Sequence, residues 1–248
     1  MIILTTLFFI TAILYSSVGF GGGSTYLALM LIWEFPYYIF PIIALFCNII
    51  VVSGNSINFV RSGNINLKLI LPYLIGSIPF AFIGASISLK KEIFEILLFL
   101  VLILASLFLL LESNTYNKKN LKINSIPTFI SIFIGSSIGF VSGIVGIGGG
   151  IFLSPILFLL KAGYPKHITS AASLFILINS IFGVAGQLTK EIVLDEFLNY
   201  WPLFLAVLIG GQIGNYLNIK FLSNKALALL TSLLIILIAI RMGFRILF

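Results

Sequence analysis

Long apolar runs separated by short polar marks define this chain. Runs long enough to cross a bilayer cover about 2–33, 38–60, 69–89, 93–111, 126–160, 168–188, 198–219 and 226–247, since roughly 20 apolar helical residues span the hydrocarbon core. Between them stand Arg61-Ser62-Gly63-Asn64, Lys90-Lys91-Glu92, Lys190-Glu191 and Ser223-Asn224-Lys225. The runs lack the alternating pattern of barrel strands, and lipid leaves backbone groups no partner outside a helix, so each run predicts a helix. One longer polar segment, Glu112 to Ser125, divides the chain nearly in half. It predicts two membrane units, 1–112 and 126–248, joined by a linker at 113–125.

The first and fifth runs are too long for a simple span. Glycine interrupts each, at Val18-Gly19-Phe20-Gly21-Gly22-Gly23-Ser24 and at Val145-Gly146-Ile147-Gly148-Gly149-Gly150-Ile151. An offset of 127 residues superimposes the two motifs. With small drift, Pro36 then falls on Pro165, Leu45-Phe46 on Leu174-Phe175, Pro72 on Pro202, Gly84 on Gly214 and Lys90 on Lys220. Self-similarity at a fixed offset marks an internal duplication. The expected architecture is all-α: a polytopic membrane protein of about eight helical segments in two homologous four-element repeats, the first element of each broken at its glycine motif.

Consecutive glycines weaken a helix, by up to ~1 kcal/mol each relative to alanine. In a membrane such a break survives only where protein or a wet cavity satisfies the freed backbone groups. Each motif is expected to unwind its helix near the membrane midplane, so that half-helices beginning at Ser24-Thr25 and Ile151-Phe152 point their N-termini into a central cavity, where unpaired N–H groups and the positive dipole end attract an anion. Paired broken helices in two repeats are a pointer to a transporter's binding site. Gly19, Gly21, Gly22, Gly23, Ser24 and Thr25, with Gly146, Gly148, Gly149 and Gly150, are candidate substrate-binding residues on these grounds. Helix packing is the competing explanation. It accounts for Gly135/Gly139/Gly143 and Gly210/Gly214, which recur every four residues. It accounts poorly for three consecutive glycines, which cover most of a helix's circumference. The Gly135/Gly139/Gly143 stripe serves either a contact within the chain or an intersubunit face of a homo-oligomer.

Polar side chains inside the apolar runs extend the candidate site, because burying them in lipid is costly. Asn48 and Asn179 lie early in the second element of each repeat, two residues out of register. Ser170 and Ser173, three apart, share a helix face. Asn55, Gln187 and Gln212 are further candidates, against which stands the habit of amides near helix ends of simply bonding a neighbour, and His167 reads as a solvated residue at a helix start.

Composition narrows the function. The chain of 248 residues is 60% hydrophobic and 8% charged, with mean hydropathy +1.21, whereas soluble domains carry about 25% charged residues. A soluble enzyme, a nucleic-acid-binding domain and a disordered chain are excluded. The net charge of +7 sits singly or in pairs between apolar runs, where it sets topology rather than marking a nucleic-acid partner. With one His and one Cys, no metal site, cofactor or catalytic constellation is expected, which disfavours an intramembrane enzyme. Cys47 reads as a packing residue. Met1-Ile2-Ile3-Leu4 carries no basic residue before the apolar stretch, so no cleaved signal is expected.

These motifs resemble the TauE/SafE sulfite exporter family of membrane permeases. The resemblance rests on Gly19-Phe20-Gly21-Gly22-Gly23 with Ser24, on Gly146-Ile147-Gly148-Gly149-Gly150, and on Gly163-Tyr164-Pro165-Lys166-His167 with Ala171-Ala172-Ser173-Leu174. It implies a multi-pass permease of the cell (inner) membrane, whose partners are the bilayer and a small sulfur-containing anion such as sulfite, sulfoacetate or another organosulfonate. The chain departs from its own repeat in having Ile43-Ala44-Leu45 opposite Ala172-Ser173-Leu174, so Ser173 has no direct counterpart.

Direction and topology rest on charge. All seven acidic residues, Glu34, Glu92, Glu95, Glu112, Glu191, Asp195 and Glu196, stand at or near run ends. No carboxylate is placed mid-membrane, as ion-coupled transporters usually require. An anion leaving an inside-negative cell gains about 2.3 kcal/mol per charge per 100 mV, so export needs no coupling. Import of a related anion coupled to an ion, or a non-transporting scaffold, are the alternatives. If every run crosses, the repeats point the same way. If each glycine motif makes its run re-entrant, the repeats are inverted, and the positive-inside rule tilts the balance to inversion with both termini outside.

Overall fold

The computed structural model describes residues 1–115, 123–190 and 198–217. Most of the expected linker, the acidic residues Glu191, Asp195 and Glu196, and the eighth apolar run at 226–247 lie outside the described residues. Among the described residues all regular structure is helical. The helices are α1 (Ile2–Val18), α2 (Gly23–Ile32), α3 (Phe40–Arg61), α4 (Leu67–Ser86), α5 (Lys91–Thr115), α6 (Thr128–Val145), α7 (Gly150–Leu159), α8 (Pro165–Gln187) and α9 (Trp201–Leu217). Four of them (α3, α4, α6 and α8) are long and apolar enough to cross a membrane.

Both glycine motifs end one helix and start a shorter one. Gly19 (φ 88°) and Gly146 (φ 91°) terminate α1 and α6 in the left-handed region, which glycine enters without a Cβ penalty. Gly22 (φ 88°) and Gly149 (φ 79°) then cap the ten-residue α2 and α7. The short helices therefore begin at Gly23 and Gly150, one residue before the expected starts.

The short helices double back. Asn124, just before α6, donates from its backbone N–H to Lys161 O (3.0 Å) and from Nδ2 to Leu160 O (3.3 Å) at the end of α7, so both ends of this hairpin lie on one face. In α1–α2, the Phe8 and Tyr26 rings stack at 4.7 Å and Tyr15 OH meets Thr25 Oγ1 at 2.8 Å, which carries the chain back along α1. The 18 residues of α6 span about 27 Å, so its break opens near the far face rather than at the midplane. What reaches mid-depth is the start of each short helix: a Cβ on Gly149 would meet Ile138, seven residues back along α6, at 2.8 Å.

Close approach through small residues sets the helix directions. A Cβ on Gly135, Gly139 or Gly143 of α6 would strike the carbonyls of Tyr73, Ser77 and Ala81 of α4 in turn, so α4 and α6 run parallel and in contact along their length. The glycine stripe thus packs inside the chain. In the same way Gly210 and Gly214 of α9 abut the Phe9 and Ile13 carbonyls of α1. α3 and α8 are antiparallel, with Leu45 beside Gly183 and Ser56 Oγ 3.4 Å from Ser173 Oγ. α9 runs parallel to α3, with Phe46 against Phe204 at 4.9 Å and Val51 beside Gly211. Each of α6, α7, α8 and α9 accordingly runs opposite to α1, α2, α3 and α4. The outer faces, including Leu71, Ile75, Phe133 and Ile209, expose large apolar side chains, as lipid contact requires.

The two short helices end alike. Phe35 N–H reaches Met30 O and Ala162 N–H reaches Leu157 O, with Glu34 and Lys161 donating to Leu31 O and Phe158 O. This Schellman geometry holds Glu34 (φ 55°) and Lys161 (φ 53°) in the left-handed region, at a cost of roughly 1–2 kcal/mol for a residue with a Cβ. Both side chains are exposed. Glu34→Gly and Lys161→Gly should each raise stability by about 1 kcal/mol, read as a higher Tm in detergent.

Candidate functional site

The glycine loops converge on one side chain. Asn48 of α3 is fully buried and donates from Nδ2 to the backbone carbonyl of Ile147 at 3.0 Å. A Cβ on Gly21 would collide with Asn48 Oδ1. One on Gly23 would lie 2.6 Å from Asn48 Nδ2 and 2.8 Å from Ile147 O, and one on Gly148 3.0 Å from Asn48 Nδ2. The absent side chains let the two loops and Asn48 close into one layer. Residues outside glycine would hold them apart.

The mirror position in the other half is apolar. Ile176 of α8 touches Gly148, Gly150 and Gly21, as Asn48 touches Gly21, Gly23 and Gly148. Asn179, paired with Asn48 in the sequence, instead donates from Nδ2 to Phe175 O of its own helix at 2.9 Å. Its Oδ1, like Asn48 Oδ1 and the Ser180 hydroxyl, is buried without a partner. Ser180 Oγ lies beside Gly148. Sequence reasoning overlooked Ser180 and Ile176, because it sought polar pairs at equal spacing, and only the antiparallel contact of α3 with α8 brings these residues to the loops.

Other predicted residues sit around the layer or away from it. Ser24 and Thr25 occupy the buried first turn of α2. Gly19 lies against Phe59 and Thr169, and Gly146 against Pro41, at opposite ends of α3. Ser170 Oγ donates to Asn64 O at 2.7 Å, holding the α3–α4 turn, and Ser173 meets Ser56; the structure does not bring either into the layer. Neither α2 nor α7 has a side-chain cap or an acidic residue in its first turn, so no charge in either first turn offsets the positive end of the dipole.

Cavities open on either side of the layer. One of about 780 Å³ reaches Gly19 and is lined by Asn55, Asn58, Arg61, Lys166 and Asn215, among others. The opposite one, about 240 Å³, is lined by Tyr37, Tyr38, Pro41, Ile144 and Lys190. Among the described residues no carboxylate lines either. Lys190 Nζ donates to Gln187 Oε1 at 3.1 Å, and burial lowers its pKa to about 8, because desolvation disfavours the charged ammonium. Arg61 ends α3 and Lys190 stands three residues beyond α8, at nearly the repeat offset. That spacing is the signal by which the cavity cations can be found in the sequence. Among the described residues no group of three His, Cys, Asp or Glu could hold a metal ion.

Comparison with known proteins gives a consistent picture. The model of a family described as "Sulfite exporter TauE/SafE" matches residues 4–242. A relative from Sinorhizobium fredii named "Probable membrane transporter protein y4hK" is 28% identical over 231 residues, 92% of each chain. "Probable membrane transporter protein YunE" of Bacillus subtilis is 26% identical over 265 residues, 96% of this chain and 95% of its own. "Probable membrane transporter protein MJ0441" of Methanocaldococcus jannaschii is 32% identical over 200 residues, covering 74% and 70%. No solved structure matches the chain.

The layer predicts graded tolerance of its glycines. Gly23→Ala should lower stability by about 1–3 kcal/mol, the usual cost of overpacking. Gly211→Ala, whose Cβ would meet only ordinary contacts at 3.5 Å or more, should leave the Tm within a degree or two of wild type.

Proposed function

This chain belongs to the TauE/SafE sulfite exporter family, and we propose that it carries a small sulfur-containing anion, such as sulfite, sulfoacetate or another organosulfonate, out of the cell between its two glycine loops. It is a multi-pass membrane transporter and not an enzyme. The observation that supports the substrate site is the meeting at Asn48 of the α2 N-terminus and the loop that leads into α7, with no side-chain cap or acid in the first turn of either helix. Backbone N–H groups and paired dipole ends favour an anion there, as half-helix N-termini do in other transporters.

In the proposed cycle the halves 1–112 and 126–248 act as inverted repeats on either side of the 113–125 linker. The anion approaches through the larger cavity. Arg61, Lys68, Lys161 and Lys166 flank the ends of α3, α4, α7 and α8 on that face, so the positive-inside rule makes it cytoplasmic. At the layer the anion takes the Asn48 Nδ2 donor from Ile147 O. Losing that bond frees the second loop to part from Gly23, which opens the way to the Lys190 cavity. An inside-negative potential then favours release by about 2.3 kcal/mol per charge per 100 mV.

The test is flux from proteoliposomes under an imposed potential. Sulfite or sulfoacetate should leave in a protein-dependent way, faster when the inside is negative. No flux of either anion would sink the reading. Asn48→Ala should cut flux about tenfold or more, matching loss of a hydrogen bond to a charged group, while the protein still folds.

Lys190 adds a pH signature. Its ammonium is charged below about pH 8 and neutral above, so flux should fall as the pH at that face rises through about 8. Lys190→Arg should abolish the fall, because a guanidinium stays charged.

A further inference from the structure

The 780 Å³ cavity is larger than passage of a bare inorganic anion requires. It lies in the size range of small-molecule sites. Arg61 at the end of α3 and Lys166 in the first turn of α8 both line it, and among the described residues no carboxylate does. The positive end of the α8 dipole adds to Lys166, since that turn holds no acid. Asn55, on the same wall, is 4% exposed, and its Nδ2 has no hydrogen-bond partner. A buried amide donor left unpaired is costly, and a bound oxyanion would satisfy it. Asn58 Nδ2 is already committed to Asn215 Oδ1 at 2.7 Å, which leaves Asn55 as the waiting donor.

We propose that this cavity is a second anion site, distinct from the glycine layer, that loads an organic sulfonate: Arg61 and Lys166 hold the charged group, Asn55 Nδ2 donates to it, and the remaining volume takes the organic tail. The choice of sulfonate rests on the permease reading above. The donor set rests on the cavity itself. A sulfonate suits it because three acceptor oxygens can serve a guanidinium fork, an ammonium and an amide together.

The experiment is equilibrium binding of radiolabelled sulfoacetate to the purified full chain in phosphatidylcholine nanodiscs, alongside flux in proteoliposomes. Arg61→Gln and Lys166→Gln should each weaken binding about tenfold, the scale of one charge-assisted contact. Asn55→Asp, nearly isosteric, should remove it by facing the anion with a carboxylate. In flux, the half-saturating concentration from the Arg61 face should rise in the same variants while the rate at saturation and the half-saturation from the Lys190 face stay unchanged. Lys166 is exposed, so Lys166→Gln reports on the site without risk to the fold. Variants that bind sulfoacetate as tightly as wild type, or a wild type that binds none, would overturn the site. So would saturable occupation by phosphatidylglycerol that sulfoacetate cannot displace, which would make the occupant a lipid headgroup. Binding lost in the variants but no flux in wild type would uphold the site and defeat the permease reading; normal flux with unaltered binding in the variants would do the reverse.

Discussion

Everything in this fold follows from the refusal of lipid to hydrogen-bond a peptide group. A chain that breaks two helices inside a bilayer must bring its own cover for the breaks. Here α3 and α8 supply that cover, crossing antiparallel at the centre and holding both glycine loops against the middle of their interface at Asn48 and Ile176. Asn48 is the visible part of that arrangement: its amide answers the Ile147 carbonyl, a group that would otherwise face hydrocarbon. Remove the cover and the breaks are left without partners for their backbone groups.

The same constraint explains the glycine outside the motifs. With no hydrophobic driving force between helices in lipid, association depends on close contact. α6 against α4 and α9 against α1 achieve it by stacking Gly135, Gly139 and Gly143, or Gly210 and Gly214, onto carbonyls. These two interfaces clamp the hairpin helices α1 and α6 to partners that are not their sequence neighbours. The loops are therefore positioned by long-range packing, and their own residues need only be small.

Much of this was legible in the sequence, and the illegible part has a physical reason. Apolar length betrays membrane helices because a soluble surface cannot be built from so few charges. Consecutive glycines betray a break because no helix tolerates three in a row without cause. The reversal of α2 and α7 is not written locally: a chain that continues and one that turns back at Gly19 or Gly146 have the same residues, and only tertiary contacts distinguish them, Tyr26 on Phe8 and Thr25 on Tyr15 for α2 and Asn124 reaching Leu160 and Lys161 for α7. Asn48 stands out as an amide in an apolar run. Its spatial counterpart does not, since Ile176 looks like any core residue, and Asn179 satisfies itself on Phe175 O. Polarity scanning finds sites made of polar groups and misses the half that is made of shape.

That asymmetry bears on how such a centre can work. Two loops related by opposite helix directions meet, yet one is guarded by an amide and the other by isoleucine. A fully polar layer would hold an anion too well and admit water; a fully apolar one would offer nothing to replace hydration. In the proposed cycle, Ile176 on one side would help seal the layer while the hydrogen bond on the other, Asn48 to Ile147, would be the element an incoming charge competes for. The cations stand back from it, with Arg61 and Lys190 in separate cavities on opposite faces. In the proposed cycle, charge would draw an anion toward the layer from either side without trapping it there, because neither cation lines the layer itself.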